Sequence, residues 1–286
     1  MMSAPIYQTL LYGVEGNVAV ITFNRPKQMN ALSQRMMLEL KHGLEQAEND
    51  KRVVGIVITG AGKAFSAGAD MTELQGLASG SAPEDGSDQE AAALQAANPG
   101  DATMPEAYRK GLSYIASIQK PVIAAINGAT AGVSLAVALF CDMRFFGEQG
   151  FVMSAFPQRG LVAEYGTSWM LPRLVGVDVA LDILMSSRKI YGSEAHAMKL
   201  ATRVCKDDEL VSEAVAYIQN LADHCAPQSL RAIKGQVYRD LFRDPAEAFD
   251  EAERLMLGTF GSADMMEGVS AYVEKRRPNF IKVGKD

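Results

Sequence analysis

Three short stretches of this chain carry groups that could do chemistry. In "GLVAEYGTSWMLP" (160–172) one carboxylate, Glu164, stands in a run that is otherwise apolar, small or aromatic. An acid enters such surroundings when a partner or a task holds it there. As an acid/base, Glu164 would have its pKa raised by desolvation and be poised to take and return a proton. As a structural group, it would form an ion pair with Arg159 or Arg173, which shifts a pKa without catalysing anything. In "KAFSAGADMTEL" (63–74) and "NGATAGVSLAVALFCD" (127–142) a buried strand meets glycine and then a helix. Gly68 permits a close approach or a positive φ. The N–H groups around Ala67–Ala69, and those at the helix start near Gly132 and Val133, would lack intrahelical acceptors. Two such ends could aim two N–H groups at one oxygen, the arrangement that stabilises an oxyanion.

Other chemistries find less support. Neither turn is a phosphate loop, since G-x-G-x-x-G and a Walker lysine are both missing. "GVSLA" is not a G-x-S-x-G nucleophile elbow. Of the three histidines, His42 and His196 sit in helical patterns and His224 precedes Cys225, a pairing too sparse for zinc. No metal is expected. A net charge of −6 argues against nucleic acid as a partner, which needs a concentrated basic surface. No apolar run approaches the ~20 residues that span a bilayer, and the N-terminus has neither the basic start nor the apolar core of an export signal. The expectation is a cytoplasmic chain with no membrane partner and with Cys141, Cys205 and Cys225 as thiols.

The elements that must position these groups follow from hydrophobic pattern. "NVAVITFN" (17–24), "RVVGIVITG" (52–60), "KPVIAAING" (120–128) and "DMRFFG" (142–147) read as buried strands. Between the first two, Met36, Met37, Leu40, Leu44 and Ala47 share one helix face, with Ser33 as N-cap. Asp70 and Glu73 form a D-x-x-E helix start. Strands alternating with helices predict an α/β fold. Residues 79–103 read as a mobile loop with one short helix around Glu90–Ala97. Past residue 206 the pattern is purely helical, so 1–206 is expected as the α/β core and 207–286 as a helical C-terminal region.

"FNRPKQMNALS" (23–33), "GKAFSAGADM" (62–71), "KPVIAAINGATAGVSLAVALFCDMRF" (120–145) and "RGLVAEYGTSWMLPRLVG" (159–176), in this order and spacing, resemble the crotonase (enoyl-CoA hydratase/isomerase) superfamily. The resemblance runs from about residue 7 to the C-terminus. It implies a spiral of strand-strand-helix units, a C-terminal region that builds a homotrimer or a dimer of trimers, and an acyl-CoA thioester as substrate. No prosthetic group is implied, coenzyme A being part of the substrate. The two oxyanion donors of the family fall on the backbone N–H of Ala69 and of Val133, which follows Gly132. As backbone donors they could contribute on the order of 3 kcal/mol each to an enolate.

The departures narrow the chemistry. The two glutamates with which hydratases of this family hold water fall here on Ala136 and Phe156. Glu164 falls on a third position, where family members that shift double bonds carry the proton-transferring carboxylate. Dehalogenase relatives place an aspartate there and also use a histidine before "KPV", but residues 105–119 contain none. The resemblance therefore implies conversion of a 3-enoyl-CoA to the 2-enoyl-CoA, with hydration or thioester hydrolysis as the alternative and acyl-CoA binding without chemistry as another. For coenzyme A it implies Arg25, Lys27 and Lys63 as phosphate partners, and Ala64, Ala67 and Asp70 around the adenine. Lys275 and Phe280 are further contacts, supplied from a neighbouring subunit. Tyr114, Tyr165 and Trp169 are candidates for the wall of the acyl pocket.

Overall fold

The computed structural model describes residues 7–78 and 89–284. The chain begins with strands β1 (Leu10–Glu15) and β2 (Val18–Phe23), helix α1 (Gln34–Asn49), strands β3 (Gly55–Gly60) and β4 (Ala64–Ser66), and helices α2 (Met71–Ala78), α3 (Gln89–Ala96) and α4 (Tyr114–Ser117). Then come β5 (Val122–Ile126), β6 (Ala129–Ala131), α5 (Val133–Phe140), β7 (Met143–Gly147), β8 (Phe151–Met153), α6 (Thr167–Val175) and α7 (Val177–Ser186). The chain closes with β9 (Ile190–Tyr191), α8 (Gly192–Ala197), β10 (Arg203–Cys205), α9 (Leu210–His224), α10 (Pro227–Asp240), α11 (Pro245–Thr259) and α12 (Ala263–Glu274).

Among the described residues the strands form a six-stranded sheet, ordered β1-β2-β3-β5-β7-β10, and a four-stranded sheet, ordered β4-β6-β8-β9. Only β1/β2 and β8/β9 pair antiparallel. Each of the pairs β3/β4, β5/β6 and β7/β8 gives its first strand to the large sheet and its second to the small one, and a helix returns the chain to the next unit. This is the expected α/β spiral of strand-strand-helix units. Alternation along β3 shows how the large sheet is covered on both faces. Ile56 and Ile58 join α1 and α5 in the main core, while Val57 turns toward Leu210, Ala214 and Ile218 of α9. An added Cβ on Gly55 would stand 2.7 Å from Ile218 Cγ2, so glycine there lets α9 lie close to the sheet. The boundary expected after residue 206 thus falls between β10 and a helix that forms a layer of the core.

The four long buried strands and the Ser33 cap appear where the pattern placed them, Ser33 Oγ accepting the Met36 N–H at 3.2 Å. The short helix expected around Glu90–Ala97 is α3; residues 79–88 of the expected loop lie outside the described residues. One local expectation fails. Glu73 does not close a capping box on Asp70, whose N–H is taken by Leu32 O, but accepts the Gln34 N–H at 2.9 Å and caps α1 instead. The helices α11 and α12 bury almost nothing within the chain, with Phe249 (76% exposed) and Tyr272 (86% exposed) facing outward, while α10 turns Lys234 and Tyr238 inward. No helix among the described residues is long and apolar enough to cross a membrane.

Glu39 pins the entry of β1 onto α1. Its fully covered carboxylate accepts the N–H of Gln8 and Thr9, the Thr9 hydroxyl and Arg35 Nε, at 2.6 to 2.9 Å. Burial pushes its pKa up, but these donors outweigh burial and hold it below the usual value of 4.5. A lowered folded-state pKa means that the stabilisation is present above the unfolded value and is lost as pH falls below it. Glu39→Gln is therefore expected to cost about 3 kcal/mol near neutral pH. Denaturant melts should show that gap closing as the pH drops below about 4.5; a gap that did not depend on acid would refute the account.

Candidate active site

The turn after β4 is shaped by a segment from the other side of the first unit. Buried Asn30 accepts the Arg25 N–H with Oδ1 and donates to Ala61 O and Ala64 O with Nδ2, fixing residues 29–32 beside 67–70. Ala67 N–H donates to Met29 O, Leu32 N–H to Gly68 O and Asp70 N–H to Leu32 O. Leu32 and Ala69 therefore form a parallel bridge. In that pattern Ala69's own N–H faces away from residue 32, and it has no acceptor among the described residues.

The second donor arises at α5. Val133 is its first residue, so its N–H has no intrahelical acceptor. Gly132 before it has φ 57° and ψ −129°, which only glycine adopts without large cost. The two turns touch. A Cβ on Gly68 would come within 2.7 Å of Ala131 O, and one on Gly132 within 3.9 Å of Gly68 Cα. Ser134, fully buried, ties them together. Its hydroxyl accepts the Ala131 N–H at 2.9 Å and lies 2.7 Å from both Ala131 O and Ser66 O, between which its one proton is shared.

Ala69, Gly132, Val133 and Glu164 line one cavity of about 520 Å3, with Arg25, Ala67, Asp70, Phe156 and Arg159 also on its walls. Two carboxylates face it, in different states. Asp70 Oδ2 is 2.8 Å from Arg25 Nη1. Burial pushes the Asp70 pKa up, but the Arg25 guanidinium and the N–H groups of Thr72 and Glu73 hold it below the ordinary value. Glu164 makes no ion pair and no side-chain hydrogen bond among the described residues. It is half-buried, and its carbonyl accepts the Thr167 N–H and hydroxyl at the start of α6. The ion pair considered for it does not form. Arg159 Nη1 donates to Ala155 O, while Arg173 Nη1 donates to Trp169 O and its guanidinium stacks 3.9 Å above the Trp169 ring. Tyr165 and Gly166, both left-handed (φ 51° and 77°), turn the chain sharply after Glu164.

The expected coenzyme contacts divide. Ala67, Asp70 and Arg25 line the cavity, and Arg25 Nη1 donates to Asp70 and to Ala31 O. Lys27 and Lys63 are exposed on turns that touch through Pro26 and Gly62, outside the cavity wall. Ala64 is buried in β4 with its carbonyl bound by Asn30, so it is no wall residue. Lys275 caps α12 and Phe280 packs at Gly268; neither reaches the cavity of its own chain. Phe156 lines the cavity, and Ala136 is buried in α5. Tyr165 and Trp169 line a second cavity, whereas Tyr114 is buried apart from it. Arg159, considered only as an ion-pair partner, lines the cavity, and Ser134 was not singled out. Ser134 had a signal, as the one hydroxyl in the otherwise apolar "VSLAVALF".

The arrangement offers an unpaired carboxylate beside two unpaired amides, which can move a proton next to an oxygen that gains charge. Ser134→Ala removes the group shared by the two turns and leaves the Ala131 N–H buried without an acceptor. The expected outcome is a loss of about 1–3 kcal/mol in stability. It should be larger than that of Ser134→Cys, as read by thermal melts.

Comparison with known proteins bears on this site. The family model for enoyl-CoA hydratase/isomerase matches residues 13–97 and 84–283. A probable enoyl-CoA hydratase of Rhizobium meliloti is 32% identical over 274 residues, covering 96% of this chain and 98% of the relative. The 1,2-epoxyphenylacetyl-CoA isomerase of Escherichia coli is 30% identical over 275 residues, covering 95% and 97%. The crystal structure of an enoyl-CoA hydratase from Bacillus anthracis superposes with a TM-score of 0.81 at 26% identity, covering 96% of this chain and 99% of that one.

Proposed function

The chain belongs to the enoyl-CoA hydratase/isomerase family, and on that premise we propose that it moves the double bond of a 3-enoyl-CoA to the 2-position, with Glu164 as acid and base. The observation that carries this reading is that Glu164 is unpaired in the cavity that Ala69 and Val133 line with unpaired amides. The thioester oxygen accepts those two N–H groups. Glu164 takes the proton from C2, charge flows onto the oxygen as a dienolate, and the same proton returns at C4 as the double bond settles between C2 and C3. Atoms balance without water or a prosthetic group. Coenzyme A enters and leaves as part of the thioester, with Lys27 and Lys63 beside its phosphates.

A second reading has a specific motive. The Rhizobium relative and the Bacillus structure are named as hydratases, and in that case Glu164 would activate water for the alkene or the thioester. Against it, the positions of the two hydratase carboxylates hold a methyl and a phenyl group, Ala136 and Phe156. Retention of the fold for acyl-CoA binding without turnover is the remaining alternative. The same premise carries self-association through α10–α12 into a homotrimer or a dimer of trimers, with Lys275 and Phe280 reaching a neighbour's coenzyme.

With 3-hexenoyl-CoA, Glu164→Gln is expected to lower kcat by ~100-fold or more, the size of a general base. Product double-bond position is followed by NMR and mass spectrometry. Accumulation of 3-hydroxyacyl-CoA or free acid with wild type would transfer the assignment to the water-activating reading. A mutant as active as wild type would end the role of Glu164 altogether.

A further inference from the structure

We propose that the second cavity receives the far end of the acyl group and is built for an aromatic ring, so that arylalkenoyl thioesters are the preferred substrate class. This rests on the reading of Glu164, Ala69 and Val133 as the reacting centre.

Position supports it first. Glu164 lines the first cavity, and the next two residues, Tyr165 and Gly166, line the second. The left-handed backbone at both residues turns the chain between the two linings. Helix α5 spans the same interval, from Val133 at the first cavity to Phe140 at the second. Seven steps along a helix cover about 10 Å. On this proposal, a substituent carried a few bonds beyond the reacting carbons lies in that second cavity.

Size and lining decide what fits. The cavity measures about 340 Å3, whereas an apolar cavity of about 150 Å3 already accepts benzene. A ring with its linking carbons is accommodated. Tyr108, Phe140, Tyr165 and Trp169 supply aromatic faces and edges, which favour tilted and offset contacts with another ring. Glycine makes the room: a Cβ on Gly111 would stand 3.2 Å from Tyr165 Cδ1, and one on Gly166 3.2 Å from Phe140 Cζ.

The walls are held in place. Trp169 carries the Arg173 guanidinium 3.9 Å from its ring centre and stacks with Phe242 at 5.3 Å and 15°. Tyr108 packs edge-on against Trp169, Phe242 and Tyr238. Tyr108 is buried, yet its hydroxyl has no hydrogen-bond partner among the described residues. Lys110, the charged residue lining this cavity, is matched by Glu106 at 2.9 Å.

The test uses saturated thioesters, which cannot react, so its result does not depend on Glu164 chemistry. Binding of 4-phenylbutanoyl-CoA and butanoyl-CoA is measured by calorimetry for wild type, Ala107→Phe and Tyr165→Asn. Ala107 lines the cavity from an exposed 3-10 turn, so a larger side chain there fills space without disturbing the core. Asparagine is tolerated at the left-handed position 165. Wild type is expected to bind the phenyl ligand at least tenfold more tightly than butanoyl-CoA, and both variants should lower that ratio at least fivefold. Equal affinities in wild type, or a ratio untouched in both variants, would overturn the assignment of this cavity. Failure of the isomerase reading shows elsewhere, as undiminished turnover by Glu164→Gln.

Discussion

The contact between the turns at Gly68 and Gly132 is the constraint on which the rest of the site depends. Two amides from different strand-strand-helix units are left without acceptors on the wall of one cavity, although a free buried N–H is costly. The chain meets this by pairing everything around them. Leu32 uses both its N–H and its carbonyl on either side of Ala69, and Met153 O holds the Gly132 N–H. The Ser134 hydroxyl serves one turn with its lone pair and both turns with its proton. The two remaining amides are left over by this geometry, one by a parallel bridge and one by a helix start.

The spiral explains why such leftovers meet. Each unit divides its strand pair between two sheets, so every crossing from the large sheet to the small one is a short turn at the same end of the fold. The turns that join β4 to α2 and β6 to α5 are neighbours because β4 and β6 pair in parallel. Electrostatics then separates the acids of the cavity. Asp70 is matched by Arg25 and keeps its charge on structural duty, while Glu164 sits three residues before the start of α6 with no ion-pair partner among the described residues.

Long-period features were legible in the sequence. The four buried strands and α1 have enough residues for pattern to speak, and Ser33 stands where a cap must stand. The small sheet was not, because β4, β6 and β8 have three residues each, too few for alternation to show. Positions of the amides at Ala69 and Val133 could be inferred from glycine and helix signals together with a family resemblance. Their state could not, since it depends on Leu32 and Met153, which are remote in sequence. The ion pair of Arg25 was hidden for the same reason: its partner Asp70 lies 45 residues away. Glu73 had the right residue type for a capping box and found a better donor in another helix.

The groups that would meet the substrate oxygen belong to the main chain, and this has a consequence for how such a protein can diverge. A point mutation at Ala69 or Val133 changes a side chain but cannot delete an N–H, proline excepted. The acid is different, because a single codon adds or removes it. Lineages built on this frame can thus exchange one reaction for another by relocating a carboxylate among a few wall positions, while the oxygen site passes unaltered through the change. Change in the side chains of the two turns is then limited by packing, since a Cβ on Gly68 would meet Ala131 O at 2.7 Å and Gly132 keeps a positive φ.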